Sequence, residues 1–232
     1  AEITASEDPI PGGIREGQEL IVDDGGIVQD NFHAADGSTV RLEAGGVIGR
    51  NFEAFGATVD MHGGLIDEGM DVFRGATLNV HGGEIKGTIV AYPHSTMNVH
   101  GGDLARVRAE SDSAISVDGG SIHRLTVFGQ AEVTGGTLEA GLYAGHGGQA
   151  TVSGGQSLSD SYVDDDGLLV LVDGYVRRVR VRPGGELRVH GGRTNFDSDP
   201  GSTVIITDGG INSSSESAGH LLISGGHVSG SL

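Results

Sequence analysis

The chain has no cysteine, which excludes disulfide staples, thiolate metal sites and thiol redox chemistry. Tryptophan is absent and aromatic residues make up only 4% of the chain, too few to fill a conventional globular core with large rings. Cations are scarce: 14 lysines and arginines stand against 32 aspartates and glutamates, a net charge of −18. Without a basic field to displace phosphate counterions, neither nucleic acid nor an anionic membrane surface is an expected partner. No apolar run approaches the ~18 residues of a membrane-spanning helix, so no membrane insertion is expected. There are 5 prolines in 232 residues, but 43 glycines. These glycines follow no collagen-like three-residue period, so they serve some other geometry.

That geometry is a repeat. The phrase "TLNVHGGEI" at Thr77 returns as "TMNVHGGDL" at Thr96. Gly-Gly or Asp-Gly pairs begin at Gly25, Gly45, Gly63, Gly82, Gly101, Gly119, Gly135, Gly154, Asp173, Gly191, Gly209 and Gly225. Periods near 20 residues signal a solenoid. Alternating segments such as "TVDMH", "TLNVH", "TMNVH", "AISVD" and "ELRVH" precede the pairs and read as short strands. Apolar residues follow them, at Ile66, Ile85, Leu104, Ile122, Leu138, Leu158 and Val176. Each pair is then a corner between two strands, where glycine supplies a positive φ. The coil is too short for a βαβ unit and shows no helical period. The expected fold is all-β: one single-domain right-handed parallel β-helix of about eleven to twelve short coils, cored by aliphatic ladders. Residues 1–16 read as an N-terminal cap or lead-in, and 17–232 as the β-helix.

Two columns stand out. The repeat places His62, His81 and His100 at one outward position in consecutive coils, beside Asp60, Asn79 and Asn98. Metal ligands must converge on a point, whereas stacked side chains run parallel, so a stabilising surface ladder is expected here rather than a zinc site. The second column lies beyond the corner. In "LARVRAE", "IHRLTVF" and "VRRVRVRP" the alternation turns Arg106, Arg108, Arg124, Arg178, Arg180 and Arg182 outward, and "LEAGLYA" and "LSDSYVD" add Tyr143 and Tyr162 at a matching position. With Lys86 the single lysine, 13 of the 14 basic residues are arginines, and six of them share this face. Two readings account for the concentration. The arginines could pair with Glu110, Asp160, Asp164 and Asp165 in surface salt bridges of little energy. Alternatively they form an anion-binding groove, since guanidinium forks match carboxylates and a row of them matches an extended polyuronate.

Uronate polymers are open to β-elimination: a base takes the C5 proton, a cation or amide neutralises the carboxylate, and an acid protonates the leaving O4. Tyr143, between Arg108 and Arg180 in coil order, is the expected proton-transfer residue, its pKa lowered by the arginines. Tyr162, Lys86 and His123 are the alternatives for that role. Hydrolysis would need a pair of carboxylates across the bond, and none stands out on this face.

The coil period, the glycine corners and the Arg/Tyr face resemble the single-domain parallel β-helix polysaccharide lyases, in particular the small alginate lyases. The resemblance implies cleavage of an acidic, uronate-containing polysaccharide; a monomer that is secreted or extracellular, the periplasm included, is expected. The opening "AEITASEDPIPGG" reads either as a mature N-terminus after leader cleavage behind a small residue or as an arbitrary boundary of the chain. The resemblance brings in calcium, which some relatives use against the uronate, and "DSYVDDDG" either holds it through Asp160, Asp164, Asp165 and Asp166 or is simply a solvated loop, the expected reading. No other cofactor is expected. The alternative class is a non-catalytic solenoid that binds carbohydrate, adheres or acts as a surface spacer.

Overall fold

A computed structural model of the chain describes residues 1–212 and 215–229. Every element is a β-strand, and among the described residues no helix is long and apolar enough to cross a membrane. The coils group into two compact units, Ala1–Ser116 and Val117–Leu232. Both are parallel β-solenoids, in which each strand pairs with its counterpart one coil away. The lead-in is part of this scheme: Glu2–Thr4 pairs in parallel with Glu19–Val22, and Gly13–Ile14 with His33–Ala34.

In the first unit, Thr39–Leu42, Thr58–Met61, Thr77–Val80 and Thr96–Val99 stack in register. The register puts Leu20, Val40, Val59, Leu78 and Met97 in one inward column, all fully buried. In the second unit Ala131, Ala150, Leu169, Leu187 and Val204 do the same. Burying one such aliphatic side chain is worth about 1.5–3 kcal/mol, against ~0–1 kcal/mol for an exposed ion pair. These columns, not the charged surface, hold the coils together.

The outer columns follow the same register. Asn79 donates to Asp60 at 2.7 Å, and Asn98 donates to the Asn79 carbonyl oxygen at 2.8 Å, so half-buried amides form a ladder. His62, His81 and His100 stack on the outside as expected, with centroids 5.2 and 5.0 Å apart. Their rings do not converge, and the ladder is anchored at one end by Glu43, 3.2 Å from His62 Nδ1.

One inward assignment fails. Leu158 is 44% exposed, while Ser157 and Ser161 of the strand Gln156–Val163 are buried in its place. A register shift between Ser157 and Asp160 turns the leucine out. The serines are satisfied locally: their hydroxyls lie 3.1 Å apart, and Ser161 accepts the Leu142 amide at 3.1 Å.

The corners show why glycine is needed. Gly83 has φ +90°, and a Cβ there would fall 2.7 Å from both the Gly63 carbon and the Gly64 oxygen, which are backbone atoms of the preceding coil. We expect Gly83→Ala to destabilise the protein by at least ~1–3 kcal/mol in denaturant melts, from the left-handed backbone strain alone. Gly12→Ala, where nothing lies within 4 Å, should be neutral. Equal midpoints for the two variants would show that corner glycines are not required by close stacking.

Candidate functional site

In the second unit, two neighbouring outward columns define the Arg/Tyr face. The pairing of Leu125 with Leu142, Tyr143 with Tyr162 and Tyr162 with Arg180 runs one column through Thr126, Tyr143, Tyr162, Arg180 and Asp197. Two residues before Tyr162 and Arg180, Asp160 pairs with Arg178, and Arg124 faces Ala140 and Gly141, where the register shifts by one residue between the Ile122/Leu138 and Leu125/Leu142 pairs. Gly141 is the missing tooth in that second column. It has φ +88°, and a Cβ there would fall 2.2 Å from the Asp160 carbonyl oxygen, so no other residue fits. The gap opens a cleft of about 410 Å³, walled by Arg124 and Thr126 on one coil and by Asp160 and Tyr162 on another, with Tyr143 between.

Most of the arginines are already engaged. Arg180 directs Nε and Nη2 at one oxygen of Asp160, both at 3.1 Å. Arg178 reaches Asp197 at 3.4 Å and Arg182 reaches Asp164 at 3.1 Å, with its guanidinium 5.0 Å over the Tyr162 ring. Among the described residues Arg124 has no ion pair, so it is the cation the cleft can offer to an anion. In the first unit, exposed Arg106 sits in register with Thr88, and Arg108 lies 2.6 Å from Glu110. The salt-bridge reading therefore holds for Arg108, Arg178, Arg180 and Arg182. Asp165 is the exception among the carboxylates, since it faces His146 instead.

Tyr143 and Tyr162 do occupy matching positions in adjacent coils, but the electrostatics of Tyr143 are the reverse of the expectation. Its hydroxyl donates to Asp164 Oδ2 at 2.5 Å. That hydrogen bond, then burial and the Asp164 charge, raise its pKa above the ordinary phenol value, and the opposing pull of Arg182 is smaller. A carboxylate accepting the phenolic proton stabilises the neutral ring, so Tyr143 is a held phenol and not a phenolate. Phe128 packs edge-on against the same ring with centroids 6.1 Å apart. Asp164 Oδ1 is buried without a partner.

The other proton-transfer candidates lie elsewhere. His123 is turned to Glu139 at 3.2 Å, and that bond together with one from Ser121 lowers the Glu139 pKa. Lys86 belongs to the first unit, with Nζ 3.8 Å from Asp67. The four aspartates proposed for calcium do not form an oxygen cage. Asp160 and Asp164 each give Oδ2 to arginine, Asp164 Oδ2 also takes the Tyr143 hydroxyl, and Asp165 faces His146.

The first unit carries a constellation that sequence reasoning missed. Glu53 and Asp71 pair across adjacent coils and line a cleft of about 260 Å³ with Asn31, Asn51 and Thr88. Burial, and then Glu53, raise the Asp71 pKa above the usual carboxylate range. Beside them Phe55, Phe73 and Tyr92 stack face to face, each pair 4.5 Å between centroids. The only available signal was the coil period, which aligns "FEAF" with "DVF" once the register is known.

No family model, no curated protein and no solved structure matches the chain.

The Tyr143 geometry has a measurable consequence. A phenol whose folded pKa is raised stabilises the fold below the unfolded pKa, and this contribution is lost as pH rises through the folded one. In a tyrosinate absorbance titration, we expect the component absent from Tyr143→Phe to ionise above ordinary tyrosine, and Asp164→Asn to bring it back down. A Tyr143 component that titrates at or below the ordinary value would contradict the hydrogen-bonded phenol.

Proposed function

We propose that the second unit binds an acidic, uronate-containing polysaccharide in the Arg124–Tyr143–Tyr162 cleft and cleaves it by β-elimination. The observation that carries this reading is the gap at Gly141, which sets Arg124, without an ion pair among the described residues, and Tyr143 on one cleft. Arg124 takes the uronate carboxylate in its fork and neutralises the charge that builds on it. Tyr143 Oη, whose own proton points to Asp164, has its lone pairs free for the C5 hydrogen. As the C5–H bond breaks, that hydrogen passes to Oη and the phenolic proton moves to Asp164. The C4–C5 double bond then forms, the C4–O4 bond breaks, and Tyr143 protonates O4 while recovering the proton from Asp164. The atoms balance with no cofactor. The cleft is complete within one unit of one chain, so a monomer suffices, and a polymer of this kind places the protein outside the cell.

A specific observation favours a second reading. Arg178, Arg180 and Arg182 are each matched by a carboxylate, so much of the face neutralises itself. On that basis the solenoid would bind acidic carbohydrate without cutting it, as an adhesin or binding module.

Absorbance of the new double bond, measured on alginate, pectate and glycosaminoglycans, separates the two. Under the lyase reading one polymer yields product, and Tyr143→Phe lowers the rate by at least ~10²-fold with little loss of binding. Arg124→Ala weakens binding by about 1.5–3 kcal/mol, the value of a charge-assisted hydrogen bond. Binding sensitive to Arg124 without any elimination would establish the binding module. Absence of binding to every uronate polymer would remove both readings.

A further inference from the structure

The acidic run that does not suit calcium contributes to a different donor set. Consecutive coils of the second unit turn at Gly145–Gly148 and at Asp164–Gly167, with Gly147 and Asp166 both in the left-handed conformation at φ +71° and +55°. The shared geometry stacks His146 on Asp165 and brings Asp166 alongside. His146 Nδ1 lies 3.7 Å from Asp165 Oδ2, and ligand atoms of His146, Asp165 and Asp166 all fall within 4.8 Å of one another. Among the described residues this is the one group of three histidine or carboxylate side chains that converges in this way. The His62–His81–His100 ladder, with more imidazoles, does not.

Two features of the surroundings fit a bound ion. Gly184, at the same corner of the next coil, leaves the space Asp165 uses: a Cβ there would fall 2.4 Å from Asp165 Oδ1. Gly147, beside His146, has no atom within 4 Å of a hypothetical Cβ, so the outer side is open to water ligands. Among the described residues no lysine or arginine pairs with Asp165 or Asp166, whereas neighbouring Asp164 is held by Arg182.

We propose that His146, Asp165 and Asp166 form a binding site for a late first-row divalent metal ion of the zinc type. The donor chemistry decides the class. Calcium takes six to eight oxygens, as a rule without imidazole, and this corner offers only two carboxylates. One imidazole nitrogen and two carboxylate oxygens suit zinc, nickel or copper, with water completing the shell. Bonds of ~2.0–2.2 Å require the three arms to close by roughly an ångström, which exposed side chains can do. The site lies outside the cleft residues and its ion takes no part in the elimination steps above.

Calorimetric titration of the full chain with zinc chloride and, separately, with calcium chloride tests this. The expected result is one zinc equivalent per chain that is lost in His146→Ala and in Asp166→Asn, retained in His62→Gln, and not reproduced by calcium. Far-UV circular dichroism should be unchanged in all three variants, since His146, Asp166 and His62 are all exposed. Zinc binding that survives His146→Ala, zinc binding lost instead with His62→Gln, calcium binding as tight as zinc, or no zinc binding by the parent chain would each overturn the assignment.

Discussion

Each coil's backbone amides are satisfied by carbonyls of the coil beside it. His62 donates to Leu42, His81 to Met61 and His100 to Val80, at 2.9, 2.8 and 2.7 Å. This in-register parallel ladder pairs most backbone groups of the strands with one another, and exceptions such as the Leu142 and Phe196 amides are taken up by serine hydroxyls of the next coil. It also forces every side chain to lie against the residue at the same position one coil away. Aliphatic residues therefore form continuous inward columns, amides hydrogen-bond to amides, and rings stack on rings. Corners that fit under the next coil without a Cβ are part of the same constraint, which is why the glycine content is so high.

The same constraint determines how a site can be built. A single outward residue is multiplied into a column, so charge of one sign repeated down the face would repel itself. The second unit avoids this by mixing signs: Arg178 stands over Asp160, and Arg180 stands between Tyr162 and Asp197. A cleft then arises only where a column is interrupted. Gly141 provides that interruption beside Arg124, and the Tyr143–Asp164 hydrogen bond gives the adjacent column a proton-carrying group.

The fold was legible in the sequence because the repeat exposes both periods at once: alternation within strands, and glycine pairs between them. Register was legible where the phrase repeats cleanly, as with Thr77 over Thr96. It failed at Leu158, where a local shift buries Ser157 and Ser161, a change that alternation cannot anticipate. The site was legible as a set of outward residues and much less so as chemistry. Outwardness says nothing about partners, and it was Asp160, Asp164 and Asp197 that decided the state of the arginines and of Tyr143. The Glu53–Asp71 pair and the approach of His146 to Asp165 and Asp166 were hidden for the same reason: the partners are 18 to 20 residues apart in sequence until the coil length brings them together.

The central claim is that interruption of a column at Gly141 creates the place where an acidic sugar chain sits. Amide and arginine side-chain NMR shifts of the labelled protein, followed during titration with a short uronate oligosaccharide, test it most directly. The account predicts shifts concentrated at Arg124, Thr126, Tyr143 and Tyr162, and none with a neutral oligosaccharide of equal length. Shifts confined to the Glu53–Asp71 cleft of the first unit, or equal responses to both sugars, would contradict it.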